Sequence, residues 1–533
     1  MRHSKQTTRT LAVTGTFISY FVAVFVVATL AVTADAQPTT FNDPTVTERD
    51  GFGDSVALDG NKVLIGAQGD DTKGTRVGQA HLFDATTGNL LWTFDDPTVT
   101  DLDGFGRSVA LDGNNVLIGA PGDDTRGDGV GQAHLFDVTT GSLLQTFDDP
   151  TVTDLDVFGW WVALDGNNVL IGAVRDSTQG AGVGQAHLFD ALSGNLLQTF
   201  IDPTPTPGST IFRGDAFGAS VALDGNRVLI GAPDDDTNGT NVGQAHLFDA
   251  TTGNLLWTFD DPTVTTEDSF GSKIALDGNY ILIGASSDDT NGNNVGQAHL
   301  FDGNPQSPTF GDLLRTFEDP TVTDQDVFGA SVALDGNNVL IGAALDDTNG
   351  ANVGQAHLFD AVTGSLLRTF NDPTVTDGDS FGVSVALDGN NVLIGASEDD
   401  THGNDVGQAH LFTLPSLLGD FDFDRDADGF DFLKWQRGES PNSLSQSDLA
   451  DWEADYGNTI SLTEPGDFDK DLDVDGFDFL EWQRDPSVGS LADWEANYGT
   501  VATLSATSAI PEPTTCTLAL AALCLVMGRR RVS

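Results

Sequence analysis

The chain has 533 residues, of which 80 are acidic and 23 basic, for a formal net charge of −57. A surface so negative repels a phosphate backbone and excludes nucleic acid as a partner; it suits a solvated extracellular protein or one that binds cations. The two cysteines, Cys516 and Cys524, stand near the C-terminus, so the main body has neither a disulfide nor a thiolate site.

Residues 1–36 read as a signal peptide for export. Arg2, Lys5 and Arg9 precede an apolar run from Phe17 to Val32, and Ala34-Asp35-Ala36 offers a small-x-small cleavage site before Gln37. An uncleaved membrane anchor is the alternative.

Residues 37–418 repeat one unit seven times. Phe-Gly pairs start at Phe52, Phe105, Phe158, Phe217, Phe270, Phe328 and Phe381. A Gly-Gln-Ala-His-Leu-Phe segment follows each, with its histidine (His81, His134, His187, His246, His299, His357, His410) 29 residues after the Phe. The insertions at Pro203–Arg213 and Gly303–Thr309 fall outside that fixed stretch. Within the second copy, Ser108–Leu111 leads through the turn Asp112-Gly113-Asn114 to the apolar run Val116–Ile118, a hairpin pattern. The Gly/Asp-rich loop Gly122–Gly129, a strand Gln132–Phe136, the turn Thr139–Gly141 and a strand Leu143–Phe147 complete the unit. Four short strands in each of seven copies predict an all-β, seven-bladed β-propeller with four-stranded blades; a linear solenoid is the alternative. Thr40–Pro44 matches the fourth-strand end Thr93–Pro97, which predicts that the N-terminal segment completes the last blade. Ser416-Leu417-Leu418 is the competing closure.

The pairing of Phe105-Gly106 with Gly119-Ala120-Pro121, and of Phe217-Gly218 with Gly231-Ala232-Pro233, resembles the FG-GAP repeat of integrin α-subunits and many bacterial surface proteins. That resemblance implies the same seven-bladed ring. Calcium-carrying integrin-type repeats hold an Asp-rich loop between Phe-Gly and Gly-Ala-Pro. Here that place holds only the short turn Leu111–Asn114, so calcium is not carried over to it. The run His81–Trp92, repeated at His246–Trp257, is similar to the repeat of quinoprotein dehydrogenase propellers. Gln145, Gln198, Arg315 and Arg368 replace its tryptophan in other copies, which favours a shared outer-strand design over a quinone site.

Residues 419–499 form two further units, Gly419–Asp431 and Gly466–Asp478, each followed by a helical stretch, Phe432–Arg437 and Phe479–Arg484. Calcium takes six to eight oxygens from closely spaced carboxylates and carbonyls. The first loop offers Asp420, Asp422, Asp424, Asp428 and Asp431 with the Asp426 carbonyl; the second offers Asp467, Asp469, Asp471, Asp475 and Asp478 with the Asp473 carbonyl. Asp at the twelfth place followed by Phe-Leu resembles a dockerin-type loop, which implies a small α-helical, EF-hand-like module binding Ca2+. Arg425 and Leu472 stand where the sharp turn normally has Gly. A linker covers 500–509. In 510–533, Pro511-Glu512-Pro513, the apolar run Thr514–Gly528 and Arg529–Arg531 resemble a PEP-CTERM sorting tail. That implies a transmembrane segment, an exosortase-type enzyme as partner, and the cell surface, outer envelope or extracellular matrix of a Gram-negative or planctomycete-like bacterium.

Other features carry weaker expectations. The seven histidines read as one repeated packing environment rather than a metal ring. The Asp two residues before each Phe-Gly (Asp50, Asp103, Asp156, Asp215, Asp268, Asp326, Asp379) and the Gly/Asp loops read as turns whose side chains satisfy local backbone groups, with weak cation binding as the alternative for the loops. Trp160-Trp161 and the two insertions break the repeat, which reads first as a repacked blade and drifted loops, with a ligand face where the paired aromatics stack a sugar as the alternative. Arg126-Gly127-Asp128 and Arg213-Gly214-Asp215 spell an adhesion tripeptide expected by chance in so Gly- and Asp-rich a chain. No catalytic constellation stands out. The expectation is an exported, non-enzymatic binding, adhesion or scaffold protein with an unknown protein or polysaccharide ligand. The alternative is a propeller enzyme acting on polysaccharide or through a quinone.

Overall fold

The computed structural model of the protein describes residues 37–206 and 214–414. The expected signal segment 1–36, the dockerin-like module 419–499, the linker and the sorting tail lie outside the described residues. Among the described residues no helix is long and apolar enough to cross a membrane.

Among the described residues, twenty-eight strands form seven antiparallel four-stranded sheets. The chain opens with β1 (Thr39–Asn42). The first blade follows as β2 (Phe52–Asp59), β3 (Lys62–Ala67), β4 (Gln79–Asp84) and β5 (Leu90–Asp95), paired in that order. The local sequence accounts for each strand. The second strand of a blade, such as Val63-Leu64-Ile65, is a continuous β-branched and apolar run buried on both faces. The outermost strand, Leu90–Asp95, leaves Leu90, Leu91 and Trp92 exposed and buries Phe94. In the second copy the observed strands Val109–Asp112, Asn115–Ala120, Gln132–Asp137 and Leu143–Asp148 match the predicted ones to within two residues at each end. In the first, third, fifth and seventh blades the innermost strand reaches back to the Phe-Gly pair through a break in register, as between Phe52 and Ser55.

The last blade contains β26 (Phe381–Asp388), β27 (Asn391–Ala396), β28 (Gln408–Thr413) and, as its fourth strand, β1. Thr39 to Asn42 pair with Leu411 to Gln408, and Phe41 lies opposite Ala409. The N-terminal segment therefore closes the ring, as its sequence predicts, and the innermost strands of the first and last blades touch.

The hydrophobic core lies between blades. One cluster joins Leu64, Ala80, Leu82 and Phe94 of the first blade to Phe105, Val116, Ile118 and Phe136 of the second. The seam is built alike: Phe41, Leu393, Ala409 and Leu411 pack on Phe52, Val63, Ile65 and Phe83. Each Phe of a Phe-Gly pair is fully buried there. Its Gly partner has a steric reason. Gly106 has φ +91°, and a Cβ on it would stand 2.2 Å from the Gln79 carbonyl of the preceding blade. A Cβ on Gly66, the Gly of the preceding Gly-Ala, would stand 2.0 Å from the Gly106 carbonyl. The two glycines of the motif thus meet across the blade boundary and let adjacent backbones touch.

Candidate functional site

Seven-fold repetition places equivalent carboxylates together once per blade. The second blade serves as the example. The segment crossing from the outermost strand of the first blade to the innermost strand of the second carries Asp96, Thr98, Thr100 and Asp103. The Thr98 amide donates to Asp96 Oδ1 at 2.7 Å, and the Thr100 amide donates to Asp103 Oδ2 at 2.6 Å. The Thr100 hydroxyl caps the other Asp103 oxygen. Leu102 beside it is held at φ +74°, a left-handed conformation rare for a leucine. The Gly/Asp loop of the second blade brings in Asp123, anchored by the Thr125 amide at 2.7 Å.

These local bonds confirm the expectation that the Asp before Phe-Gly satisfies backbone groups. They also do more. Asp96, Asp103 and Asp123 are all buried, and one oxygen from each lies within 4.8 Å of the others. The same grouping recurs as Asp43, Asp50 and Asp70; Asp149, Asp156 and Asp176; Asp202, Asp215 and Asp235; Asp261, Asp268 and Asp288; and twice more. In the last two blades, Thr321 bridges Asp319 and Asp346, and Thr374 bridges Asp372 and Asp399.

The surroundings are rich in acceptors. The Thr98 hydroxyl lies 3.0 Å from Asp96 Oδ1, 2.8 Å from Asp123 Oδ2 and 3.1 Å from Gln132 Oε1, with one proton to share among them. Behind Asp96 stands His134, fully buried against Phe105 and Phe136. Its Nδ1 meets Thr146 Oγ1 at 3.1 Å, while Nε2 has no hydrogen-bond partner and faces Asp96 Oδ1 at 3.9 Å. Burial pushes the Asp96 carboxyl up to about 6, with the neighbouring Asp103 and Asp123 charges adding to it, and pushes the His134 imidazole down to about 4. Burial raises Asp103 as well. Repetition of one packing environment is thus what the histidines show, with the added fact that each turns an unpartnered nitrogen toward a buried carboxylate.

The sequence-predicted metal ligands, Asp420 to Asp431 and Asp467 to Asp478, lie outside the described residues. Sequence reasoning missed the trios because each is split over a crossing segment and a distant loop, and the unit counted from Phe-Gly cuts through it. A signal was present: Asp stands two residues before and 18 residues after every one of the seven Phe-Gly pairs.

The repeat-breaking residues gather at the ring centre. In five blades the innermost strand carries a Ser (Ser55, Ser108, Ser220, Ser331, Ser384) that hydrogen-bonds the neighbouring blade; Ser384, for instance, donates to Gly53 across the seam at 2.6 Å. Trp161 and Lys273 replace it in the third and fifth blades, and the Lys273 ammonium sits 3.8 Å from the Trp161 ring centre. Burial pushes that ammonium down to about 7. Trp160 carries the Arg107 guanidinium over its face at 4.2 Å, and Arg107 pairs with Asp54 at 3.4 Å. Trp160 also lines a pocket of about 220 Å³ with Arg175, Ala219, Pro233 and Asp234.

The two outer tryptophans hold blades together. The Trp92 indole donates to the Val138 carbonyl of the next blade at 2.9 Å, and the insertion at 303–309 brings Phe310 to 5.4 Å from Trp257. The adhesion tripeptides are compromised: Arg126 pairs with Asp148, and Asp215 is fully buried in the fourth carboxylate trio.

The FG-GAP repeat family matches the chain at residues 44–83, 99–136, 152–189, 212–248, 263–301, 321–359 and 373–412. No curated protein matches it. Among solved structures it is similar to the computationally designed Ika8 protein, with 17% identity and a TM-score of 0.42, covering 71% of this chain and 100% of that one.

Proposed function

The chain belongs to the FG-GAP repeat family, and on that premise we propose that it is an exported, surface-retained, non-enzymatic binding scaffold. The observation that carries this reading is the distribution of its polar groups. Buried carboxylates and histidines recur in equivalent settings around the ring, whereas an active site needs unlike groups converging on one point. One place among the described residues where unlike groups converge, the Trp160 pocket, presents an aromatic face beside guanidinium and carboxylate groups. That chemistry suits a polysaccharide or protein ligand. Export rests on residues 1–36, retention on the Pro-Glu-Pro tail, and Ca2+ binding by the C-terminal module on the loops at 420–431 and 467–478.

A glycan array probed with the mature chain, beside a quinone-loading and turnover assay, tests this reading. Glycan binding that is lost in Trp160→Ala, with no quinone uptake, is the expected result. Quinone loading with turnover overturns it in favour of the enzyme.

A further inference from the structure

We propose that the seven buried carboxylate trios of the ring are calcium sites, each pinning a crossing segment to the blade it enters. These sites are separate from the loops at 420–431 and 467–478, and from the stretch between Phe-Gly and Gly-Ala that carries calcium in integrin-type repeats.

Three observations converge. First, Asp96, Asp103 and Asp123 bring one oxygen each within 4.8 Å of the others in a site closed to solvent. Like charges so placed repel strongly once water is removed. Second, the donors on hand do not satisfy the acceptors. Thr98 has one hydroxyl proton for three oxygens, and Asp96 Oδ2 has no partner although Asp96 is buried. Third, His134 is fully buried and turns an unpartnered Nε2 toward Asp96. With its proton on Nδ1, Nε2 is a second acceptor facing an acceptor. With its proton on Nε2, 3.9 Å is too long for a hydrogen bond. Neither tautomer neutralises the trio.

A divalent cation does. Three carboxylates, the threonine hydroxyl and the glutamine carbonyl make an all-oxygen set, which selects a hard ion. Carboxylates able to bind through one or both oxygens suit the flexible six-to-eight-fold geometry of calcium better than the rigid octahedron of magnesium. Asp96 and Asp103 lie on the crossing segment, and Asp123 lies on the entered blade, so one ion ties the two together. In the first blade the crossing segment is the one that follows β1, which places the Asp43, Asp50 and Asp70 site at the ring seam.

The test counts ions. The full chain is stripped with EDTA and dialysed against calcium chloride, and bound calcium is measured beside thermal unfolding. A variant with Asp420, Asp422, Asp467 and Asp469 all changed to Asn removes the C-terminal loops alone. It should still bind seven ions and gain Tm with calcium. Adding Asp103→Asn, or separately Asp96→Asn, should lower the count by one and shrink the Tm gain, while leaving the EDTA-treated protein no less stable. No bound calcium in the loop variant at millimolar calcium, with the same Tm in calcium and EDTA, overturns the proposal. Failure of the C-terminal loops alone would be seen separately, as the same count of seven in parent and loop variant.

Discussion

Truncating Phe41 to Ala should open the ring at its seam. Phe41 is 2% exposed and its ring centre lies 5.0 Å from that of Phe83. Phe94 in β5 occupies the matching place one blade on, 4.9 Å from Phe136. Either truncation removes the same contacts, a loss of about 3–5 kcal/mol for a buried Phe→Ala change. The outcomes differ because, among the described residues, β1 continues into the ring at one end only, whereas β5 does so at both. In Phe41→Ala the four-residue β1 can leave β28 while the other blades stay folded, so much of the loss appears as local opening. Even about 3 kcal/mol multiplies the ratio of open to closed rings by roughly 150. Hydrogen exchange followed by mass spectrometry should show rapid exchange in β1 and along the β28 edge of Phe41→Ala. The β4–β5 pair of Phe94→Ala should stay protected until global unfolding, and its Tm should fall further. Equal protection of the two strand pairs, or a larger drop in Tm for Phe41→Ala, would refute the idea that the seam opens independently.

Other outcomes follow from the same geometry. Gly106→Ala places a Cβ 2.2 Å from a backbone carbonyl at φ +91° and should cost at least about 3 kcal/mol or prevent folding, whereas Gly113→Asn, at φ +57° with nothing within 4 Å, should stay within about 1 kcal/mol of the parent in urea unfolding. Lys273→Met should raise Tm at pH 7. Burial holds the native ammonium down at about 7 against 10.5 in the unfolded chain, so the native state gives up protons between those values and the lysine weakens folding at neutral and lower pH. That gain is offset in part by the lost cation–π contact, about 0.5–2 kcal/mol. Acid should unfold the calcium-loaded protein steeply. The buried imidazoles, held down at about 4 against 6.5, contribute stability above pH 6.5 that is lost as pH falls toward 4. In EDTA the raised carboxyls, Asp96 and Asp261 at about 6 against 3.8, act in the opposite direction, taking up protons in the native state as pH falls through 6. Tm measured from pH 7 to 5 should therefore drop more in calcium than in EDTA; parallel curves would contradict this.

The seven-fold count, the four strands per blade and closure by the N-terminal segment were legible because each rests on local pattern. Strand periodicity, Asp-Gly-Asn turns and the likeness of Thr40–Pro44 to Thr93–Pro97 need no knowledge of neighbours in space. Even the motif glycines could be marked from the chain, though not their reason, since the Gly66–Gly106 contact exists only where two blades meet. The pairing of Trp161 with Lys273 was equally hidden: the two residues stand two blades apart and meet only across the ring centre.

The carboxylate trios mark the same division most clearly. Sequence alone determined that Asp recurs at set distances from every Phe-Gly, and local turn chemistry accounts for each Asp singly. Only the tertiary structure decided that Asp96 and Asp103 on a crossing segment share a buried site with Asp123 on a loop of the next blade. The physical reason is that a local hydrogen bond is set by a few neighbouring dihedrals. The electrostatics of three buried like charges depend on what the closed ring brings within a few ångströms and shuts away from water.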